Sequence, residues 1–147
     1  CIKAIMKNKK IIIRNPNFNR PWQHVLDPLN GYLILAKKQF ENPTKYSGAY
    51  NFGSDQKSLL TVRKVTELII KFWGKGKIKL INKYKFYEHK NLQLNSLKSR
   101  KVLKWKPIYS AKKAIQLTTK WYFQIINNKK KPADVTRFQI KNYINRL

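Results

Sequence analysis

The segment "RNPNFNRPWQHVLD", Arg14 to Asp27, gathers two arginines, a tryptophan, a histidine and three asparagines. A guanidinium is a planar, permanently charged fork of donors, suited to pairs of anionic oxygens. Proline fixes φ and lacks an N–H, so Pro16 and Pro21 exclude a regular helix here. The same residues suit a tight, specific loop between a strand and a helix, where binding groups tend to sit. Binding is the chemistry these residues offer. No G-x-G-x-x-G and no P-loop occurs, so no phosphate cradle of those types is expected. His24 and His89 are not set with carboxylates or Cys1 at metal-ligand spacing, and no metal is expected. Only 6 acidic residues occur, and none forms an evident pair for acid–base work. The sequence holds no catalytic constellation of its own.

The elements that must position this loop follow from periodicity. "IIIR" (11–14) is a β-branched run and reads as a buried strand. Asp27-Pro28 reads as an N-cap with proline at the first helical position. Leu26, Leu29, Leu33, Ala36 and Phe40 recur at helical spacing and predict a helix to about Phe40, with Gly31 allowing close packing. "GAYNFGSD" (48–55) reads as a short strand ending in a glycine turn, with Asn51 fixing that turn. Val62, Val65, Ile69 and Phe72 line a helix that Gly74 stops. "KIKLI" (77–81) alternates as a half-buried strand, and "NLQL" (91–94) adds another. Asn95 caps a short helix to about Leu103, Ser110 caps the next, and Asp134 caps a last one through Ile144. Strands alternating with helices predict an α/β construction, helix-rich with a few short strands.

With 147 residues, 42% hydrophobic and 13% aromatic, the chain can build one packed domain rather than remain disordered. No apolar run approaches the roughly 20 residues that span a bilayer, and no signal peptide is recognisable, so cytoplasm is the expected location. One cysteine excludes an internal disulfide. The net charge of +27 has two readings. It is the footprint of a basic nucleic-acid-binding module, or it is compositional drift. Lysine, asparagine and isoleucine are all heavily used, and the lysines are scattered along every element. Drift is the reading adopted, with no specific nucleic-acid partner. The opening "CIKAIMKN" reads as the last turns of an amphipathic helix, so the chain is expected to be the C-terminal piece of something longer.

The segment "IIIRNPNFNRPWQHVLDPLNGYLILA" resembles the C-terminal half of the CDP-glucose 4,6-dehydratases, in the extended short-chain dehydrogenase/reductase family. The family pattern runs I-R-N-P, three variable positions, R-P-W-Q-H-V, an acidic residue, P-L, G-Y. "YNFGSD" (50–55), "LQLNSLKSRKVLKWKP" (92–107) and "TTKWY" (118–122) extend the likeness over nearly the whole chain. Phe86-Tyr87-Glu88-His89 departs from the family's Pro-His-Glu-Ala, Lys104 stands for a glycine, and Asn95 for a capping aspartate.

The resemblance implies a two-domain enzyme. An absent N-terminal Rossmann domain would hold NAD and supply a Tyr-x-x-x-Lys motif; residues 1–147 would be the nucleotide-sugar-binding domain. In the family, NAD oxidises the sugar at C4, water leaves across C5–C6, and the hydride returns to C6. The product would be CDP-4-keto-6-deoxyglucose, a precursor of deoxy sugars for polysaccharide, and the intact enzyme a homodimer. These residues alone would be inactive. Arg20 occupies the place of an arginine facing the pyrophosphate; the alternative is a surface arginine pairing with Asp27. Arg14 and Asn15 would lie near the base, or serve a plain turn. Trp22 reads as a packing anchor. His24 reads as a hydrogen-bonded structural histidine, with substrate contact as its second role. Glu88 is a pocket residue or an exposed acid, and Lys98 a solvated lysine. Another nucleotide-sugar dehydratase or a 4-epimerase of the same family remains an alternative.

Overall fold

The computed structural model describes residues 1–55, 59–81 and 88–147. A short helix α1 (Ile2–Met6) leads into strand β1 (Ile11–Ile13). The "III" run becomes a strand because Ile11 and Ile13 point into the core while Ile12 faces out. β1 pairs in parallel with β4 (Ile78–Leu80), with Ile11 opposite Ile78 and Ile13 opposite Leu80. β2 (Asn19–Arg20) pairs antiparallel with β3 (Leu60–Thr61). Thr61 caps α4 (Val62–Trp73), and Gly74, at φ +91°, ends it in the left-handed conformation that glycine tolerates.

α2 spans Leu26–Glu41, and Asn42 caps the short α3 (Pro43–Tyr46). α5 (Leu97–Leu103) precedes α6 (Ala111–Ile126), capped by Ser110, and α7 (Pro132–Ile144). One core cluster joins Ile5, Ile11, Ile13 and Trp73 with Phe123; a second joins Val65, Leu68 and Ile115 with Trp22. A third, of Phe52, Leu103 and Trp105, packs under Ile34 and Leu35 of α2.

Several elements differ from the expectation. Residues 48–55 form no strand. Side chains take the place of ladder partners: Gln23 donates to the Phe52 carbonyl at 2.8 Å, Ser99 to that of Asn51 at 2.5 Å, and the Gly53 N–H donates to Ser96 Oγ at 2.7 Å. Asn51 itself reaches across to the Asn95 carbonyl. Of "NLQL" only a single bridge forms, Asn91 with Asn19. α2 starts at Leu26, so Asp27 lies inside its first turn rather than at the cap. The helix expected to about Phe40 is there, but Leu29, Leu33, Ala36 and Phe40, whose spacing marked it, are exposed. The face that packs carries Asp27, Gly31, Ile34 and Leu35, because the missing Gly31 side chain admits the Phe52 ring against the helix backbone. Asn95 accepts from the Leu97 N–H, but Ser96 is the cap residue of α5. Asp134 likewise sits in the first turn of α7, with Lys131 at the cap.

Candidate functional site

The asparagine-rich loop is tied down at both ends. The Arg63 N–H donates to the Pro16 carbonyl at 2.9 Å and the Val62 N–H to that of Phe18 at 3.0 Å, so the start of α4 clasps the loop. The β2–β3 pair then fixes Arg20, and Asn19 bonds Asn91 through both side chain and bridge.

On this base, Asn15, Arg20 and Glu88 converge. Arg20 Nη2 pairs with Glu88 Oε1, and Asn15 Nδ2 donates to Glu88 Oε2 at 2.6 Å. Arg20 Nη1 also donates to the carbonyls of Asn19 at 2.8 Å and His89 at 3.1 Å, and the guanidinium lies over the Phe18 ring. The Arg20 side chain is 20% exposed and that of Glu88 45%. The hydrogen bond from Arg20, helped by that from Asn15 and the nearby charge of Arg14, holds the Glu88 carboxyl below its ordinary range. Glu88 is thus ionised and partnered, at a surface open to solvent. Of the two partners foreseen for Arg20, Glu88 takes the place given to Asp27. Residues 86 and 87, where the sequence departs from the family pattern, lie outside the described residues.

Asp27 belongs to a second constellation, which the sequence did not announce. It is fully buried. Its Oδ1 accepts from the Ile108 N–H at 2.8 Å and the Tyr143 hydroxyl at 2.9 Å, and its carbonyl from Trp105 Nε1 at 3.0 Å. His24 is buried beside it, its Nδ1 accepting from the Leu26 N–H at 3.3 Å and its ring edge-on to Tyr109. Burial lowers the His24 pKa, against the pull of the Asp27 charge. Tyr109 is in turn edge-on to Tyr143, whose hydroxyl is pushed up by burial and by Asp27. The contacts of His24 are with this interior group, whereas Arg20, Asn15 and Glu88 bond one another. Tyr109 and Lys113 share the Tyr-x-x-x-Lys spacing of the family's catalytic motif, but Tyr109 is buried and Lys113 Nζ donates to Gln116 Oε1 at 3.1 Å. Trp22 anchors the loop by donating to the Leu60 carbonyl at 3.1 Å. Lys98 is not simply solvated: it donates to the Ala49 carbonyl and covers the Tyr50 ring at 4.2 Å.

Among the described residues no group of His, Cys, Asp and Glu could hold a metal ion, and no helix is long and apolar enough to cross a membrane.

No protein-family model matches the chain. In sequence it is 30% identical over 122 residues to CDP-glucose 4,6-dehydratase of Salmonella typhimurium, a match covering 82% of this chain and 34% of that protein. The likeness read from "IRNPNFNRPWQHV" is borne out by that match. Among solved structures it is similar to dTDP-glucose 4,6-dehydratase of Bacillus anthracis in complex with NAD, with a TM-score of 0.68 and 22% identity over 86% of this chain and 38% of that one. It is also similar to UDP-glucuronic acid 4-epimerase of Bacillus cereus in complex with UDP-glucuronic acid and NAD, with a TM-score of 0.68 and 16% identity over 84% of this chain and 38% of that one. The chain spans about a third of the length of the curated relative it matches. Its fold is the C-terminal part of the extended short-chain dehydrogenase/reductase fold, helix-rich with a few short strands, as the sequence led us to expect.

Proposed function

We propose that residues 1–147 are the nucleotide-sugar-binding part of an NAD-dependent CDP-glucose 4,6-dehydratase, a lyase that forms CDP-4-keto-6-deoxyglucose. The convergence of Asn15, Arg20 and Glu88, in a chain 30% identical over 122 residues to the Salmonella enzyme, carries this reading. A nucleoside diphosphate sugar bears two negative charges on its diphosphate. Arg20 is the cation held ready for them. Its pair with Glu88 is solvent-exposed, hence weak and exchangeable, while its bonds to backbone carbonyls keep the guanidinium oriented. Arg14 adds positive charge beside Glu88, and Asn15 offers an amide that can turn from Glu88 to the ligand. His24, an initial candidate for substrate contact, acts by holding the loop's end.

NAD, with which the similar dTDP-glucose 4,6-dehydratase and UDP-glucuronic acid 4-epimerase are in complex, supplies the hydride chemistry when bound. These residues contain no glycine-rich βα turn to hold it, so in our reading it sits on another part of the polypeptide, together with the proton-transfer groups and the dimer contact. This part alone binds and does not turn over. Location in the cytoplasm and a role in deoxy-sugar and polysaccharide synthesis belong to the same reading.

The test is calorimetric titration of the intact protein with CDP-glucose, dTDP-glucose and UDP-glucose. CDP-glucose is expected to bind tightest. Arg20→Ala is expected to weaken it by about 10- to 150-fold, as loss of a charge-assisted contact implies. Unchanged affinity removes Arg20 from the site. Preference for another nucleotide overturns the CDP assignment in favour of a different dehydratase or a 4-epimerase. Binding to any DNA with a steep salt dependence, and to no nucleotide-sugar, overturns the whole reading.

A further inference from the structure

We propose that Tyr143, on the C-terminal helix α7, is a positioning residue for the nucleotide-sugar loop; the inference rests on the reading above. Three observations lead there. The Tyr143 hydroxyl, at 2.9 Å, is one of two donors to the Asp27 Oδ1 atom, the other being the Ile108 N–H. Its ring meets Tyr109, and Tyr109 meets His24, with centroids 5.5 and 5.4 Å apart. Asp27 Oδ2 is buried with no hydrogen-bond partner, so this carboxylate already lacks part of its solvation and depends on the donors it has.

α7 therefore touches the end of the "RPWQH" segment through Asp27, through the aromatic pair and through Gln139, which hydrogen-bonds His24. From His24 the chain runs back through Gln23, bonded to the Phe52 carbonyl, and Trp22, bonded to that of Leu60, to Arg20 in the strand beside Leu60. Each step is a short, directional contact. Removing the Tyr143 hydroxyl frees the Asp27 carboxylate to seek another donor, which shifts the first turn of α2 and the loop it terminates. Nothing on α7 need touch the ligand.

The experiment compares Tyr143→Phe with Val135→Ala, which opens a cavity at a buried α7 residue outside this network, in the intact protein. Two quantities are read: affinity for CDP-glucose, and the resonances of the Trp22 indole N–H and Arg20 Nε–H without ligand. Tyr143→Phe is expected to lower affinity by about twofold to thirtyfold, the range of coupling through packed networks, and to move both resonances. Val135→Ala should lower the melting temperature at least as much, yet leave affinity and resonances unchanged. Equal affinity losses in the two variants would make Tyr143 merely structural and overturn the proposal. So would unmoved resonances in Tyr143→Phe. If the wild type binds no nucleotide-sugar, the functional reading fails, while the ligand-free resonances still decide whether α7 sets the loop.

Discussion

Two carboxylates in this chain meet opposite fates. Glu88 sits at the surface, 45% exposed at its side chain, and shares its oxygens between Arg20 and Asn15. Asp27 is completely buried and accepts from a backbone N–H and a tyrosine hydroxyl. Water can replace the partners of Glu88 at little cost, whereas at Asp27 it would have to enter the interior. The exposed pair is therefore an exchangeable contact, and the buried one a fixture that holds the loop in place.

The largest test of that contrast removes each carboxylate in turn. Asp27→Ala strands two donors, the buried Tyr143 hydroxyl and the half-buried Ile108 N–H, and loses bonds to a charged group. It is expected to cost about 3–5 kcal/mol, read as a fall in the denaturation midpoint at constant slope. Glu88→Ala should lower the midpoint far less, because its pair is exposed to solvent. Matching losses would erase the distinction between fixture and exchangeable contact.

Gly31→Ala probes the same buried side without touching a charge. A Cβ at Gly31 would collide with the Phe52 ring, which is itself edge-on to Trp105 at 5.1 Å, the indole that bonds the Asp27 carbonyl. Overpacking of this kind costs about 1–3 kcal/mol. A neutral result in the same unfolding measurement would show that Phe52 can step aside and that the interior is softer than its contacts imply.

The difference between the two sites also marks what the sequence could tell. The "III" strand, the cap at Ser110 and the stop at Gly74 are local matters, and periodicity and capping chemistry predict them. The face of α2 was not legible. Leu29, Leu33 and Phe40 form the more hydrophobic stripe, yet the helix packs through Asp27 and Gly31 because Phe52, 21 positions beyond Gly31, needs the room. Residues 48–55 looked like a strand because of Tyr50 and Phe52, but their backbone partners are side chains from distant elements. Asn15 and Arg20 stood out through their loop. Their union with Glu88 joins positions 68 and 73 apart in sequence, and no spacing rule reveals that. The Asp27–Tyr143 bond, 116 positions apart, was equally hidden.

Acid should separate the two regions by pH. Burial holds the folded-state pKa of His24 below the ordinary 6.5, so as pH falls beneath that value the unfolded chain takes up the proton first and stability declines. For Glu88 the folded-state pKa lies below 4.5; its contribution is present above that value and is lost only as pH falls further, through the folded pKa. In a series of melting temperatures against pH, His24→Gln should flatten the first decline and Glu88→Gln alter only the second. If His24→Gln leaves the mildly acid slope intact, burial of that imidazole is not what destabilises the interior group.

The smallest expected effect tests the connector that delivers Trp105 and Ile108 to Asp27. Lys104 ends α5 in the left-handed conformation, at φ +56° and ψ +19°, which strains a residue bearing a Cβ. Lys104→Gly relieves the strain but gives the unfolded chain more freedom, so the net gain is expected to be about 0.5–1 kcal/mol, seen as a higher denaturation midpoint. Affinity for CDP-glucose should not change, because the relieved strain precedes Trp105 on the buried side while Arg20 and Glu88 meet at the surface. A shifted affinity would mean that backbone conformation at the end of α5 reaches the loop through Trp105 and Asp27. The buried group would then be a working part of the binding site rather than its foundation.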